Sequence, residues 1–333
     1  MDVLVTGGAG YIGSAVVAAL ADAGHRPVVL DDLSTGRAEL VRGHRLHVGD
    51  VGDRALVRRV LAEHPGITVA VHCAARIVVP ESVARPGIYY RTNVLATLEL
   101  VEALAEGGVR DVVFSSSASI YAPGPDLAVD EDSRWAPSSP YARTKAVAEE
   151  MLGDLAASGG PRVLSLRYFN PIGADPRLRT GVQLPRPGHA LGVLVEAHRT
   201  GQPFPLTGVD YPTRDGSGIR DYVHVWDLAR AHVAAVEGFD RALAGGRSQA
   251  INLGTGRGTT VRELVAAFER VTGSRVAVRE APRRPGDTAG AWTRSDRAAR
   301  LLGWRAERDV LAGVADTLAW FAARGAILPD LAA

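Results

Sequence analysis

Cysteine is nearly absent from this sequence of 333 residues, in which Cys73 is the only one. A single cysteine excludes a disulfide within the chain, and it excludes zinc ribbons and iron–sulfur clusters held by several thiolates. The sequence also lacks an apolar run of the ~18 residues that suggest a membrane span, and its first residues lack the features of a signal peptide. These absences predict a soluble protein of the reducing cytoplasm, with no membrane partner and no metal ion.

Net charge is also lacking. The 38 basic and 37 acidic residues leave a formal charge of +1 at neutral pH, so no general electrostatic field attracts nucleic acid or anionic membranes. No nucleic-acid partner is therefore expected, and any anionic ligand must be held by local groups. The length predicts two domains, or one domain with a large elaboration.

Short apolar segments alternate with helical patterns up to about Tyr168. The apolar segments are rich in Val and Leu and do not alternate with polar residues, which is typical of strands buried on both faces of a parallel sheet. The fold class is therefore α/β, a Rossmann-type doubly wound parallel sheet. The predicted strands are 3–6, 27–30, 46–48, 69–73, 111–115 and 162–168, and the predicted helices are 12–23, 55–63, 88–105 and 141–157.

The pattern becomes irregular after Asn170. Helices are predicted over 191–200 and 227–238, with a loop region over 201–218 between them. Such segments usually form a substrate-facing cap rather than a second independent core. We expect residues 1–170 to form the first domain and 171–333 mainly a smaller mixed α/β domain. A later strand, predicted at 250–253, and a neighbouring helix within about 220–260 would return to the sheet.

A glycine-rich turn follows the first strand and opens the first helix. Gly7 permits a tight turn, Gly10 lets backbone amides reach a pyrophosphate, and Gly13 allows the helix to pack close to the strand. Because the turn lies between a strand and a helix, a dinucleotide site is favoured over a merely structural turn. Tyr11 and Ile12 lie in the same turn and are expected to contact the cofactor.

The following strand ends supply further candidate contacts. Asp31 and Asp32 end the second strand, where a carboxylate meets the adenosine ribose and repels a 2′-phosphate, so NAD is favoured over NADP despite the nearby Arg37. Asp50, followed by Val51, could bind the adenine edge or could only cap the next helix. The fourth strand ends in small residues that admit a cofactor closely, namely Cys73, Ala74 and Ala75. Cys73 itself is interpreted as a small buried residue rather than a reactive thiol.

A candidate reacting group follows the fifth strand. Ser117 ends a serine-rich segment at the carboxyl edge of the sheet, where open α/β sheets bind ligands. Tyr141 and Lys145 lie four residues apart, one turn from each other on one helix face. An ammonium beside a tyrosine stabilises its phenolate, so Tyr141 could take a proton from a substrate hydroxyl while Ser117 bonds that oxygen.

The combination resembles the extended short-chain dehydrogenase/reductase superfamily and, at closer range, the UDP-glucose (UDP-galactose) 4-epimerases. The similarity runs through nearly the whole chain, and so many ordered matches are far more specific than any single motif. The matching segments are residues 5–14, 81–82, 93–94, 114–121, 140–141, 165–173, 210–213, 221–225, 252–258, 283–287 and 302–304.

The resemblance implies tightly held NAD, a nucleotide-diphosphate hexose as substrate, and a homodimer formed by the helices over 88–105 and 141–157. Its implied reaction is oxidation at C4, rotation of the 4-keto sugar, and return of hydride to the opposite face. By position it assigns the reacting groups as Ser117, Tyr141 and Lys145. Further cofactor contacts are Asn93, Ser115 and Tyr168, and substrate contacts are Asn170, Leu191, Thr207, Arg220, Arg284, Asp287 and Ala291.

Four positions depart from the family pattern. Ile77 replaces a lysine near the cofactor, and His189 begins a segment that is usually Asn-Asn-Leu. Thr207 stands where an aromatic residue usually stacks on uracil, although Phe204 is nearby, so the preference for the base is expected to be relaxed or altered. Ala291 lies near a position where family members with a bulky aromatic residue exclude N-acetylated sugars, so N-acetylhexosamines are expected to fit.

Two other functions remain open. A nucleotide-sugar 4,6-dehydratase would share the fold, NAD, tyrosine and lysine, but it needs an acid/base pair beside the serine. Ser117 is followed by Ala118 and Ser119, without a carboxylate. A nonenzymatic NAD-binding sensor would keep the glycine turn but would have no reason to combine Ser117, Tyr141 and Lys145.

Overall fold

Strands and helices alternate along the first half of the protein, as the apolar pattern predicts. The structure, a computed structural model, describes residues 1–283 and 288–331. The strands are β1 Asp2–Thr6, β2 Arg26–Asp31, β3 Arg45–Val48, β4 Ile67–His72, β5 Asp111–Ser117, β6 Ala128–Val129, β7 Arg162–Tyr168, β8 Asn170–Ile172, β9 Phe204–Thr207, β10 Ile219–Arg220, β11 Tyr222–His224, β12 Ser248–Leu253, β13 Thr259–Thr260, β14 Val278–Ala281 and β15 Gly290–Thr293.

Helices cover both faces of the main sheet and form much of the later part of the chain. Short 3₁₀ turns occur at Ala38–Val41, Ala118–Ile120, Arg324–Ala326 and Pro329–Leu331. The α-helices are α1 Tyr11–Asp22, α2 Arg54–Glu63, α3 Val79–Ala84, α4 Pro86–Tyr90, α5 Ala96–Glu106, α6 Pro140–Ala157, α7 Ala190–Thr200, α8 Val225–Glu237, α9 Phe239–Leu243, α10 Val261–Thr272, α11 Arg297–Leu302 and α12 Val310–Ala323.

The main sheet confirms the Rossmann-type fold class. Within the described ranges it has seven parallel strands in the order β12-β7-β5-β4-β1-β2-β3. The direction of winding reverses between β1 and β4. Open α/β sheets bind ligands in the crevice at such a switch point, outside the carboxyl ends of the strands.

Both faces of this sheet are buried, which explains why its strands are apolar without alternation. Val3 and Val5 of β1 pack in one hydrophobic cluster with α1 and α8. Leu4, between them, packs in a second cluster with α2, α5 and α6. Successive side chains of a strand point to opposite faces, so the three central positions of β1 are all apolar.

Two later elements return to the sheet. The strand predicted at 250–253 is part of β12, which pairs in parallel with β7 at the edge of the sheet. The helix predicted at 227–238 is α8, which packs on the same face as α1. The domain boundary near residue 170 stays a prediction.

The later part of the chain differs from the expected cap. The region 201–218 was predicted as loop, yet it contains β9, which pairs in parallel with β14. A hydrophobic cluster that includes Leu194, Leu264 and Phe268 forms a core separate from the clusters of the main sheet. The expectation of a cap without a core of its own is therefore wrong. Pairing between segments about 70 residues apart is not visible in local apolar periodicity.

The helix predicted over 88–105 is also interrupted. Between α4 and α5 the backbone forms a π-helical turn, Arg91–Leu95. Asn93 is buried in this turn, where its amide donates to the carbonyl of Arg76 and to Oγ1 of Thr144, at 2.9 and 3.0 Å. Its own Oδ1 accepts the Arg76 amide at 2.8 Å. Such turns interrupt α-helices at functional sites, and here the turn brings Asn93 against the segment after β4.

In the part of the chain that the structure describes, no helix is both long enough and apolar enough to cross a lipid bilayer.

Candidate active site

The glycine turn after β1 is too closely packed for side chains at Gly7 and Gly13, but it is open at Gly10. Gly7 has a φ of +67°, and a Cβ at this residue would lie 2.5 Å from the amide nitrogen of Ala74. A Cβ at Gly13 would lie 2.1 Å from the Gly7 carbonyl oxygen, whereas a Cβ at Gly10 would meet only that oxygen, at 3.3 Å. Gly10 begins α1 without a side-chain cap. The helix therefore presents free amides over an open glycine, which fits a pyrophosphate.

Tyr11 contributes to this turn differently from a cofactor contact made by its side chain. Its hydroxyl donates to the carbonyl of Gly173 at 2.7 Å, and burial raises the pKa of the Tyr11 phenol. The side chain thus ties the turn to the segment after β8. Ile12, the next residue, is half-buried and packs against the core beside α1.

Asp31 braces the same turn from the end of β2. Its two carboxylate oxygens accept the backbone amides of Ala9 and Leu33, both at 2.9 Å. The residue is buried, and this burial raises the pKa of the Asp31 carboxyl. Asp32 is exposed and accepts the amide of Ser34 at 2.9 Å. Either carboxylate lies where it could meet a ribose, and Asp31 also shapes the turn.

The guanidinium of Arg37 is engaged in an ion pair. Its NH2 group donates to Oδ2 of Asp330 at 2.7 Å. A guanidinium engaged with a carboxylate is less available to a 2′-phosphate, so this contact favours NAD over NADP.

The contacts of Asp50, after the end of β3, exclude one of the two roles considered for it. Asp50 does not cap α2, because its Oδ1 accepts the amide of Gly52 at 2.8 Å in a local turn. The cap is Asp53, which accepts the amides of Ala55 and Leu56 at 3.0 and 3.1 Å. Val51 is buried between these two aspartates. Asp50 is exposed and therefore available at the carboxyl edge.

The segment after β4 lies against β5. Cys73 Sγ is 3.2 Å from Oγ of Ser115, and burial raises the pKa of the Cys73 thiol to about 11. A thiol with such a pKa is protonated at neutral pH, which supports its interpretation as unreactive. Ala74 contacts the glycine turn, and the half-buried Ala75 continues the segment.

A buried chain of hydrogen bonds runs from His232 of α8 to Ser115. The sequence did not indicate a role for His232. His232 Nδ1 lies 2.8 Å from the carbonyl of Leu228, which can only accept, so this nitrogen carries the proton. Burial lowers the pKa of His232 to about 4, so the ring is neutral and its Nε2 accepts from the Tyr168 hydroxyl. Tyr168 must then accept from Ser115, 2.8 Å away. Burial raises the pKa of Tyr168 well above its usual value.

The helix that holds Tyr141 and Lys145 begins where its sequence predicts. Ser139 caps α6 by accepting the amide of Ala142 at 3.2 Å, and Pro140 occupies the first turn. This cap is typical of a helix start, because the proline lacks only an amide that would have no partner there. It places Tyr141 at the start of the helix, beside the carboxyl end of β5.

Ser117 and Tyr141 meet at the end of β5. The Ser117 hydroxyl donates to Oγ of Ser119 at 2.9 Å and accepts the Ser119 amide at 3.2 Å. Burial raises the pKa of the Tyr141 phenol, and the neighbouring Ser117 hydroxyl lowers it. Within the described ranges these contacts of Ser117 include no carboxylate.

Lys145 lies deeper in the sheet than expected. Its Nζ donates to the carbonyl of Ser115 at 2.7 Å and lies over the Phe114 ring, 4.9 Å from its centroid. Burial lowers the pKa of Lys145 to about 8. Burial is the largest influence on the pKa of Tyr141, and the Lys145 ammonium is held by a backbone oxygen of β5. That Lys145 favours the Tyr141 phenolate stays a prediction.

A buried ion pair holds the serine segment from the other side. Arg167 of β7 pairs with Glu149 of α6, and Ser116 donates to the same carboxylate at 2.5 Å. Sequence reasoning missed this pair. Its signal was an arginine near the end of a buried strand, together with a glutamate four residues after Lys145 on the same helix face.

The substrate candidates lie around the later strands. Arg220 of β10 pairs in register with Ala291 of β15, and its NH1 donates to the carbonyls of Ile219 and Ala289 at 2.7 and 3.0 Å. Among the described residues no carboxylate forms an ion pair with Arg220. Asn170 begins β8, and its backbone N–H donates to the backbone carbonyl of Asp221 at 2.9 Å.

The remaining substrate candidates are placed less favourably for side-chain contact. Leu191 is buried in the first turn of α7, where His189 caps the helix by accepting the Gly192 amide at 3.1 Å. Leu191 can therefore reach a ligand only through its backbone. Thr207 is half-buried at the end of β9, while Phe204 is buried in the hydrophobic cluster of the later domain. Phe204 therefore cannot replace an aromatic residue at Thr207.

Two predicted substrate contacts, Arg284 and Asp287, lie outside the described residues. The neighbouring Arg283 pairs with Asp210 at 2.7 Å and lies over the ring of Tyr211, 4.2 Å from its centroid.

A dinucleotide cradle beside serine, tyrosine and lysine, on a seven-stranded parallel sheet of the described chain, defines an extended short-chain dehydrogenase/reductase. The chain belongs to the NAD dependent epimerase/dehydratase family, whose model matches residues 3–254.

Known proteins of this family are similar over nearly the full chain. A UDP-glucose 4-epimerase of Azospirillum brasilense is 44% identical, over 96% of this chain and 91% of that protein. A UDP-glucose 4-epimerase structure from Stenotrophomonas maltophila, with bound NAD and formylated UDP-arabinopyranose, has a TM-score of 0.91 and 38% identity, covering 96% and 97% of the two chains. A Bifidobacterium longum UDP-glucose 4-epimerase in complex with NAD+ and UDP has a TM-score of 0.88 and 33% identity, covering 96% and 98%.

The lowered pKa of Lys145 can be measured without assignment, because the sequence contains no other lysine. With carbon-13-labelled lysine incorporated, one side-chain resonance should titrate with a midpoint of about 8. The lysine of the unfolded chain should titrate near ~10.4. Between the two midpoints the unfolded chain therefore binds more protons than the folded chain, so the contribution of Lys145 to stability should rise with pH over this interval. Lys145→Arg must remove the signal. A folded-state midpoint at or above ~10 would contradict the burial argument.

Proposed function

We propose that the protein is an NAD-dependent 4-epimerase of nucleotide-diphosphate hexoses, of the UDP-glucose/UDP-galactose type. The observation that carries this proposal is the position of Ser117, Tyr141 and Lys145 at the carboxyl end of β5 and the start of α6, beside the glycine cradle. Family membership over residues 3–254 supports it. The low cysteine content supports the cytoplasm as its compartment.

The described residues fit NAD at the switch point of the sheet. Gly7, Gly10 and Gly13 would receive the pyrophosphate, with Asp31 and Asp32 on the ribose side. Asp50 and Val51 would flank the adenine, and the segment of Cys73, Ala74 and Ala75 would pass close to the cofactor. On the nicotinamide side we place Asn93, Ser115, Lys145 and Tyr168. When bound, NAD supplies reversible hydride acceptance at the C4 carbon of the sugar.

The chain's own groups handle the proton and the sugar oxygen. Tyr141 takes the proton of the 4-hydroxyl as hydride leaves C4, and it returns the proton when hydride comes back, so there is no net redox change. Ser117 hydrogen-bonds the same oxygen. The buried Lys145 ammonium and the positive charge of the oxidised nicotinamide both favour the Tyr141 phenolate that this step requires.

Inversion at C4 requires that the diphosphate is bound tightly and that the hexose is bound loosely enough to rotate. Arg220 has no ion-pair partner among the described carboxylates, so its guanidinium can bind phosphate oxygens. By family position we place Arg284 in the same role and Asp287 among the other contacts of the sugar nucleotide. The 4-keto sugar then turns about its link to the diphosphate and presents its other face, while Asn170 and the backbone at Leu191 line the space.

A nucleotide-sugar 4,6-dehydratase is the less favoured function. Elimination of water needs an acid/base pair beside the serine. Ala118 and Ser119 occupy the positions after Ser117 instead, and Ser119 holds the Ser117 hydroxyl. A sensor without enzymatic activity would not require these contacts.

Two positions suggest a wider substrate range. Ala291 packs at the edge of the cluster that contains Ala118, the residue after Ser117, so its small side chain leaves space close to the reacting groups. Thr207 offers no ring to the base, and base stacking on an aromatic contributes ~1–3 kcal/mol in nucleic-acid sites. We therefore propose relaxed selection of both the N-acetyl group and the base.

Exchanging Tyr141 for Phe should separate the enzyme from a sensor. Loss of the phenol removes the proton acceptor, so the rate of UDP-galactose conversion should fall by about 10²–10⁴-fold. The cradle is untouched, so NAD should still be retained after purification. The control Val278→Ala, at an exposed residue of β14, should behave like the wild type. Full turnover by the Tyr141→Phe variant would contradict the proposal.

A panel of nucleotide sugars, with products identified by NMR, tests the substrate range. UDP-N-acetylglucosamine should react, and CDP-, GDP- or ADP-glucose should react measurably beside UDP-glucose. Ala291→Trp should retain UDP-glucose turnover and lose turnover of the N-acetylated sugar. The control Val278→Trp adds the same bulk on the exposed β14 and should retain turnover of both sugars. Reaction of UDP-glucose alone would contradict both parts of this prediction.

We also propose a homodimer. Apolar side chains between 39% and 63% exposed lie on α3, α4, the π-helical turn, α6 and the segment just before α3. The helices α3 and α4 and the π-helical turn pack against α6. Solvent-exposed apolar clusters of this kind mark interaction surfaces. The side chains are Ile77, Val78, Val83, Tyr90, Leu95 and Val147.

The double variant Leu95→Glu, Val147→Glu should sediment as a monomer, because two carboxylates per subunit would be buried at a self-complementary interface. Val48→Glu on the edge strand β3, which is 59% exposed, is the control and should sediment as a dimer. A wild-type monomer at micromolar concentration would refute the dimer, as would a double variant that still dimerises.

A further inference from the structure

A cluster of potential metal ligands lies on the outer edge of the main sheet, away from the Ser117–Tyr141–Lys145 group. His47 belongs to the edge strand β3, Glu63 is the last residue of α2, and His64 follows it. The Nε2 atoms of His47 and His64 are 3.0 Å apart. One ligand atom from each of the three residues lies within 4.8 Å of the others.

The two imidazoles constrain each other's protonation. Their Nε2 atoms can approach to 3.0 Å only if one donates a proton and the other accepts, so at least one ring presents a lone pair. Burial lowers the pKa of His47, Glu63 raises it, and His64, Arg59 and Arg45 lower it further. The lone pair of such a ring can be taken by a metal ion instead of a proton.

The distances suit a small tetrahedral cation. Zinc binds imidazole nitrogen at about 2.0–2.1 Å, which places two tetrahedral ligands about 3.3 Å apart. The histidine pair needs to widen by only a few tenths of an ångström. Glu63 Oε2 is 4.0 Å from Nδ1 of His47, and the Glu63 side chain is half-exposed, so it can rotate toward the pair. Arg59 is the competing partner of Glu63, at 3.9 Å.

The end of α2 adds a favourable field. Glu63 and His64 stand at the carboxyl terminus of this helix, where the helix dipole is negative and cations are stabilised. Two imidazoles and one carboxylate suit zinc, nickel, cobalt or copper, whereas magnesium and calcium prefer sites made only of oxygen ligands. Three protein ligands leave a fourth position for water.

We propose that His47, Glu63 and His64 form a binding site for one zinc-class divalent cation. The ion joins the end of α2 to the edge strand β3 and thereby stabilises the edge of the sheet. His47 precedes Asp50 by three residues, so the ion would support the adenine side of the cofactor site. It takes no part in the reaction at Tyr141.

Metal-free protein, prepared from the full chain with its cofactor retained, tests the site. Titration with zinc against a coloured chelator should show one tight ion per chain. Cobalt should give a visible absorption band of tetrahedral cobalt, and zinc should raise the melting temperature because it binds the folded state. Both effects should weaken at acidic pH, since protons compete with the metal ion for imidazole nitrogen.

Matched variants identify the ligands. The double variant His47→Ala, His64→Ala should lose both the tight zinc and the cobalt band, and Glu63→Gln should weaken binding. His198→Ala, at an exposed histidine of α7, should bind zinc like the wild type, and all four proteins should keep epimerase turnover after chelation. Undiminished zinc binding by the double variant, or no tight zinc in the wild type, would overturn the proposal.

Discussion

The buried ion pair between Arg167 and Glu149 is the contact on which the candidate active site depends. Both side chains are almost fully buried, at 4% and 8% exposure, and they join β7 to α6. Arg167 also donates to the hydroxyl of Tyr121 at 2.6 Å, and Ser116 donates to Glu149 at 2.5 Å. Removing one partner of such a pair typically costs about 3–5 kcal/mol. Because Glu149 is one turn beyond Lys145, the pair fixes the height of the Tyr141 helix against the serine segment.

A second buried carboxylate joins the later domain to the sheet. Asp221 accepts the amides of Thr255, Gly256 and Thr293, at 2.8, 3.2 and 3.3 Å. Its backbone carbonyl accepts the amide of Asn170. The loop after β12, the strand of Ala291 and the start of β8 therefore meet at one residue, directly beside Arg220. A near-neutral chain thus holds Arg220, which pairs with no described carboxylate, at the proposed substrate side through backbone contacts.

Much of the nucleotide side was predictable because its chemistry is local. The turn from Gly7 to Gly13 lies within seven residues. Gly7 and Gly13 are required by close approaches, and Gly10 leaves the turn open. Tyr141 and Lys145 are likewise separated by one helical turn. Their pKa values were not predictable in the same way. Both depend on burial, and for Lys145 also on the nearby Cys73, which belongs to a distant part of the chain.

The sequence alone determined the strand–helix alternation and the glycine turn, and it marked Ser117, Tyr141 and Lys145 as candidate reacting groups, since these depend on short-range periodicity and on residue chemistry. Only the tertiary structure decided which side chains meet across long separations. The π-helical turn at Asn93 depends on Arg76 and Thr144, the orientation of Tyr168 depends on His232, and His47 meets His64 across the edge of the sheet. Such contacts follow from the packing of elements in three dimensions, which local patterns do not encode.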